Sequence, residues 1–287
     1  MYTIKAKKEL SPGVLQFEIE APQIAKKAAP GQFVIVRSDE NAERIPLTIA
    51  DFDRAAGTIT IIFQEVGAST KALGALEAGD AVLDFVGPLG KKTQIEKKGV
   101  VVCIGGGIGV APIYPIARGM REAGNHVVSI IGARSEDLLI LEEEMRAVSD
   151  ELHITTDDGT KGHKGFVTDP LKEMIARGVK IREVIAIGPV VMMRSVAEAT
   201  RPHAIPTVVS LNPIMVDGTG MCGGCRVQVG GESKFACVDG PEFDAHKVDF
   251  AGLMARQRMY KEQEAAHICY CEQQGRKKGS DCQCHSH

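Results

Sequence analysis

The stretch VDGTGMCGGCRVQVGGESKFACVDGPEF sets Asp217, Cys222, Cys225 and Cys237 at the spacing D-x4-C-x2-C-x11-C. No other feature of the chain limits its fold so tightly. A loop of the form C-x4-C-x2-C with a distant fourth Cys holds a 2Fe-2S cluster on four thiolates; here an Asp occupies the first position. Two irons need four anionic donors, three of them from one tight turn. Gly218, Gly220, Gly223 and Gly224 leave that turn almost free of Cβ atoms, so backbone N–H groups can approach the sulfides. The alternatives are a structural zinc knuckle or three buried free thiols. Zinc sites usually pair one C-x2-C with a second, or with two His residues, whereas a single Cys follows here. The spacing favours the cluster, and a cluster of this kind implies one-electron transfer.

The rest of the chain has to accommodate such a loop. With 287 residues there is room for two or three domains, each with its own core. A net charge of −3 gives no argument for a nucleic-acid or acidic partner. No apolar run approaches the ~20 residues that span a membrane, and MYTIKAKKEL lacks an apolar signal core. The expectation is therefore a cytoplasmic protein with no membrane contact. In that reducing compartment eight cysteines read better as metal ligands than as disulfides.

Residues 1–95 carry six short runs of β-formers (YTIKAKKEL, VLQFEIEA, QFVIVRS, PLTIADF, TITIIFQEV and AVLDFVG) broken by SPG, APG and AAG turns. They predict a small antiparallel β-barrel, with one helix over STKALGALEAGD. Over 96–211 the pattern changes to alternation. The runs GVVVCI, HVVSII, ELHITT, EVIAIG and TVVSL are separated by the helix-length segments APIYPIARGMREAG, LLILEEEMRAV, DPLKEMIARG and VMMRSVAEATRP. That alternation predicts a doubly wound parallel α/β sheet. The cluster segment occupies 212–248. A charged helical stretch with Phe250, Leu253 and Met254 on one face then opens a Cys/His-rich tail over 249–287.

GGGIGVAP, holding Gly105, Gly106, Gly107, Ile108, Gly109 and Pro112, follows a strand and opens a helix. Such a turn offers backbone N–H groups and a positive helix end to a pyrophosphate. The dinucleotide fingerprint wants a third Gly where Val110 stands, and a tight turn without a ligand is the bland reading. Arg134, Asp158, and Gly188-Pro189 with Met192 fall at the carboxyl ends of later strands, where ligands of open α/β sheets bind. In RIPLTI, Arg44 beside Pro46 and Leu47 suits a pyrophosphate, and Thr48 offers a hydroxyl to a ring nitrogen. Read alone, Arg44 is an ordinary solvated strand residue. Gly67, Ser69 and Thr70 of GAST begin the barrel helix and offer a second phosphate edge, or an ordinary helix cap.

The order RIPLTI, GAST, GPLG, GGGIGVAP, IGPVVMM and a C-terminal Cys-rich loop resembles the ferredoxin–NADP reductase superfamily over nearly the whole chain. Within it the sequence is similar to the group with a fused C-terminal 2Fe-2S loop. One branch is the electron-transfer subunit of dihydroorotate dehydrogenase, whose loop carries four cysteines. The other is the small subunit of NADH-dependent ferredoxin:NADP oxidoreductase, also known as a sulfide dehydrogenase subunit, and the run LNPIMVDGTGMCGGCRV resembles this second branch.

The resemblance implies FAD on Arg44, Pro46, Leu47, Thr48, Gly67, Ser69 and Thr70, a nicotinamide nucleotide on Gly105 to Gly109, and Asp217 as a cluster ligand. It implies an electron-transfer flavoprotein subunit that passes electrons from NAD(P)H through FAD and the cluster. The partner would be a larger flavin and 4Fe-4S subunit, with ferredoxin engaged indirectly. The acidic pair Glu136-Asp137 after the second parallel strand favours NAD(H) over NADP(H), although Arg134 alone could accept a 2′-phosphate. No acid–base catalytic pair is expected, because the cofactors carry the chemistry. Two other readings stand beside this one: the dihydroorotate dehydrogenase subunit, against which Asp217 argues, and a non-catalytic iron–sulfur binding module. Cys269, Cys271, Cys282 and Cys284, with His285 and His287, lie outside the family pattern and suit either a second metal or a flexible reactive tail.

Overall fold

The computed structural model describes residues 1–266, so the four tail cysteines and the terminal His residues lie outside the described residues. The first ninety positions fold into the short strands that the runs of β-formers predict, some alternating and some, like residues 33–36, buried continuously. They form β1 (Tyr2–Ser11), β2 (Val14–Glu20), a short α1 (Pro22–Ala25), β3 (Phe33–Arg37), β4 (Ile45–Asp53), β5 (Thr58–Gln64), α2 (Ala68–Gly74), β6 (Ala81–Val82) and β7 (Asp84–Leu89). The run AVLDFVG, expected as one strand, is two. It breaks at Leu83, whose N–H reaches the carbonyls of Arg37 and Ser38. The sheet order is β6-β1-β2-β5-β4-β3-β7, so its two edge strands are consecutive in sequence and the sheet curls into a barrel. Phe17 and Phe63 meet edge to face at 5.1 Å inside it, among Ile4, Ile19, Ile49, Ile61, Val82 and Phe85.

The second sheet is built from β8 (Val100–Gly106), α3 (Val110–Glu122), β9 (His126–Ala133), α4 (Glu142–Ala147), β10 (Glu151–Thr156), β11 (His163–Lys164), α5 (Thr168–Ala176), β12 (Ile181–Ile187), α6 (Val190–Thr200) and β13 (Thr207–Ser210). Val102, Ile104, Val128, Ile130, Val184 and Ala186 pack in one core, and Val101, Cys103, Val127, Ile131 and Ile185 in another. Burial on both faces is why these strands read as continuous apolar runs. The helix expected over LLILEEEMRAV is shorter. Leu141 takes a left-handed φ of 54° and α4 begins only after it, while Ile140 is buried in the core.

The cluster segment contributes β14 (Arg226–Val229), β15 (Glu232–Phe235), α7 (Ala236–Asp239) and β16 (Glu242–Asp244), followed by α8 (Phe250–Gln257). The hairpin β14–β15 stands alone, but β16 joins the second sheet beside β13 as its one antiparallel strand. The order is β11-β10-β9-β8-β12-β13-β16. Phe250 and Leu253 of α8 are buried against this domain, with Met254 packed beside them. Among the described residues no helix is long and apolar enough to cross a membrane.

Candidate functional site

The chain leaves β8 toward β9 on one side, and β12 leads to β13 on the other, so the strand order reverses between β8 and β12. Crevices at such reversals are where ligands of open α/β sheets sit. Gly105 pairs with Ile187 across this line, and the turn Gly107–Gly109 runs from β8 into α3. Gly109 has no space for a side chain, since a Cβ there would lie 2.1 Å from the Ile187 carbonyl oxygen. A Cβ on Gly106 would lie 2.3 Å from Met192 Sδ, and one on Gly188 would lie 2.8 Å from Met192 Cε. Gly105, Gly106, Gly107, Ile108, Gly109, Gly188, Pro189 and Met192 thus converge, with Pro112 buried in the first turn of α3. Val110 is buried there, and the missing Cβ of Gly105 makes room for it, at 2.8 Å from the Val110 Cα. The close approach of strand to helix is made from the strand side, which is why a fingerprint built on a helix Gly is incomplete here.

Arg134 and Asp158 lie beyond the ends of β9 and β10, and the Asp158 N–H donates to the Arg134 carbonyl at 3.1 Å. The Asp158 carboxylate accepts from Thr160 N at 2.9 Å and from Thr160 Oγ1 at 2.7 Å, which holds it below the usual carboxylate range. It is engaged in shaping its own turn. Lys161 bridges Glu136 at 3.4 Å and Glu142 at 2.7 Å.

On the barrel, Phe33 pairs with Thr48, Val34 with Leu47 and Ile35 with Pro46. Arg44 precedes β4 with its guanidinium half exposed, 3.8 Å from Asp84, which Arg37 holds more closely at 2.7 Å. Thr70 Oγ1 accepts from Val66 N and Gly67 N and donates to the Gly67 carbonyl, so it closes the start of α2. Ser69 Oγ donates to Glu43 at 2.8 Å, which ties GAST to the residue before Arg44.

The cluster loop sits against this same part of the barrel. Gly218, at φ 73°, approaches so closely that a Cβ would lie 2.9 Å from Ile35 and 3.0 Å from Leu89. Ile35 is the cross-strand partner of Pro46, so the loop lies one strand away from RIPLTI. Cys225 and Cys237 are buried with their Sγ atoms 3.2 Å apart, and Cys222 is exposed. Burial, then the neighbouring Cys225, pushes the Cys237 thiol up to about 12. Bound cations reverse such a shift by stabilising the thiolates. The Asp217 carboxylate accepts from Thr219 N at 3.0 Å, Met221 N at 3.1 Å and Cys222 N at 2.9 Å, and these donors keep it ionised. Gly224 N reaches Cys222 Sγ at 3.4 Å and Cys237 N reaches Cys225 Sγ at 3.5 Å.

Among the described residues no three His, Cys, Asp or Glu side chains converge on a single ion. The donor set is instead divided, with one thiol pair and one Cys–Asp pair, each with an N–H donor on sulfur. That division fits a two-iron cluster better than one tetrahedral zinc.

Two charged residues outside every motif meet between α3 and β4. Arg118 of α3 donates to both oxygens of Asp51 on β4, at 2.6 and 3.2 Å. Isolated charges in a helix and a strand carry no pattern, so nothing in the sequence singles them out.

A barrel, a Gly turn at a switch point and a Cys loop on one molecule define an oxidoreductase of the electron-transfer class. Comparison with known proteins gives the family. Residues 103–198 match the oxidoreductase NAD-binding domain, and residues 212–249 match the iron–sulfur cluster binding domain of dihydroorotate dehydrogenase B. The chain is 46% identical over 261 residues to a dihydroorotate dehydrogenase B (NAD(+)) electron transfer subunit homolog of Thermotoga maritima, covering 91% of this chain and 92% of that one. It is 53% identical over 272 residues to an uncharacterized protein of Clostridium beijerinckii, covering 92% of each. A chain of the NADH-dependent reduced ferredoxin–NADP oxidoreductase, solved for insight into flavin-based electron bifurcation, superposes with a TM-score of 0.90 at 44% identity, over 95% of this chain and 98% of that one. The chain belongs to the family of dihydroorotate dehydrogenase B electron-transfer subunits and their homologues, within the ferredoxin–NADP reductase superfamily.

Proposed function

We propose that this chain is the electron-transfer flavoprotein subunit of a cytoplasmic, electron-bifurcating complex of the NADH-dependent ferredoxin:NADP oxidoreductase type. FAD would lie on Arg44, Pro46, Leu47, Thr48, Gly67, Ser69 and Thr70. NAD(H) would lie in the crevice of Gly105 to Gly109, Pro112, Arg134, Asp158, Gly188, Pro189 and Met192. Asp217, Cys222, Cys225 and Cys237 would hold the 2Fe-2S cluster. When bound, FAD exchanges electron pairs with the nicotinamide and single electrons with the cluster. Arg44 offers a charge-assisted fork to the flavin pyrophosphate, and the Gly107–Gly109 turn offers its N–H groups to the dinucleotide.

The observation that carries this reading is the seat of Gly218 on Ile35 and Leu89, which brings the Cys loop to the strand beside Pro46. The partner is a larger subunit with its own flavin and 4Fe-4S clusters, through which ferredoxin is engaged. The purified chain should bring FAD and about two irons per chain and reduce a dye with NADH. Absence of flavin and of turnover would leave only a binding module. Arg44→Ala should weaken FAD retention by about 1.5–3 kcal/mol, the worth of a charged hydrogen bond, measured as FAD released on dilution.

The dihydroorotate dehydrogenase subunit is the second reading, favoured by the match over residues 212–249. Asp217 in place of the first Cys counts against it. Dihydroorotate-dependent reduction by the chain with its partner would decide for that reading.

A further inference from the structure

Hydride exchange between two cofactors held on different domains depends on how rigidly those domains are fixed to each other. The contact between barrel and sheet is mostly apolar: Val14, Ala50 and Ile62 of the barrel share a core with Val110, Ala111 and Ile113 of α3. Apolar contact is non-directional, so by itself it resists separation more than it resists sliding. Directional contacts cross the seam as well: Thr93 Oγ1 donates to Glu242 of β16 at 2.6 Å, and on the α3 side an ion pair joins the two domains. Arg118 grips Asp51 with two donors, at 2.6 and 3.2 Å. Its guanidinium lies 5.2 Å from the Tyr114 ring and 6.0 Å from the Phe52 ring, and Arg54 covers Phe52 at 4.6 Å.

The backbone is arranged to make this contact. Along β4, Ile49 points into the barrel core and Ala50 into the core shared with α3. Strict alternation would turn Asp51 back into the barrel. A register shift between Ile49 and Asp51 interrupts the ladder there, and such a bulge re-aims a side chain. Asp51 therefore faces α3. Rigid elements carry the link at both ends: Asp51 lies on the same strand as Thr48, and Arg118 lies on α3, the helix that the Gly107–Gly109 turn opens.

We infer that the Arg118–Asp51 pair is a positioning clamp that sets the nicotinamide crevice against the flavin strand. This rests on the proposed flavin and nucleotide reading. Arg118→Lys keeps the charge but loses the fork, and Asp51→Asn keeps the shape but loses the charge. In single-turnover mixing of the full flavin-loaded chain with NADH, each substitution should lower the limiting rate of flavin bleaching by about ten- to a hundredfold, the scale expected for a misplacement near 1 Å. NADH affinity, from the concentration dependence of that rate, should stay within about twofold. Melting temperature, flavin content and bleaching by dithionite should stay unchanged. The double variant should lose no more than either single variant, since both act through one contact.

Unchanged limiting rates in both single variants would overturn the inference. So would a loss confined to NADH affinity, a loss that tracks flavin release or melting, or losses that multiply in the double variant. Wild-type protein whose bound flavin NADH does not bleach would remove the underlying reading and the clamp together.

Discussion

Glu242 places a carboxyl group at the junction of three parts of the molecule. Thr93 Oγ1 donates to it at 2.6 Å, and a Cβ on Gly31 of the barrel would lie 2.8 Å from its oxygen. Burial raises the group to about 7; the Thr93 bond and Lys98 oppose this, and Glu183 adds to it. An acid that holds its proton more tightly in the folded chain than in the unfolded one loses stability as pH climbs. That loss starts near the ordinary Glu value of about 4.3, ends near the folded value, and amounts to something on the order of 3 kcal/mol. Glu242→Gln should flatten this slope, making the variant the more heat-resistant protein at pH 8 but not at pH 5. Parallel melting curves for the two proteins across that range would refute it. Asp217 gives the second test at this scale. A carboxylate matches the charge of a thiolate but is a harder donor. Asp217→Ala should make the cluster labile, whereas Asp217→Cys should keep it with a shifted potential. Because Asp217 also caps its own turn through three backbone N–H groups, an Ala variant with unchanged iron and midpoint potential would reduce it to that cap.

At the scale of elements, the cluster loop and the loop after β9 each make a claim. Gly218 combines a φ of 73° with contact on Ile35 and Leu89, so Gly218→Ala strains the backbone and lifts the loop off the barrel. Iron content should fall while NADH still bleaches the flavin; a variant with full iron would show that the seat is dispensable. After β9, Glu136 is tied to Lys161, while Asp137 accepts from Ser135. Part of the acidic charge expected to repel a 2′-phosphate is therefore already neutralised. We still expect NADH to be used with higher kcat/KM than NADPH, by a modest factor, and equal or better efficiency with NADPH would reverse the assignment.

The strands and the long helices were legible in the sequence because burial on one face leaves a periodic trace and burial on both leaves a continuous apolar run, as in VVVCI. The Gly turn and the Cys loop were legible because ligand chemistry fixes their spacing. The break at Leu83, the late start of α4 at a left-handed Leu141 and the bulge before Asp51 were not. Each is set by partners distant in sequence, and the local residues carry no mark of it.

Across the whole molecule, the last strand among the described residues closes a sheet begun about a hundred and forty residues earlier: β16 pairs with β13, Ser210 opposite Glu242. An unpaired edge offers its hydrogen-bonding groups to any other chain, and domains emerge from the ribosome N-terminal part first. The nucleotide domain is thus left with a sticky flank until the cysteine segment has been synthesised. Only then does the chain cover that flank, with a strand that follows directly on the proposed cluster donors Asp217, Cys222, Cys225 and Cys237. Edge protection and the proposed cluster donors are thus completed within one short stretch of chain, residues 217–244.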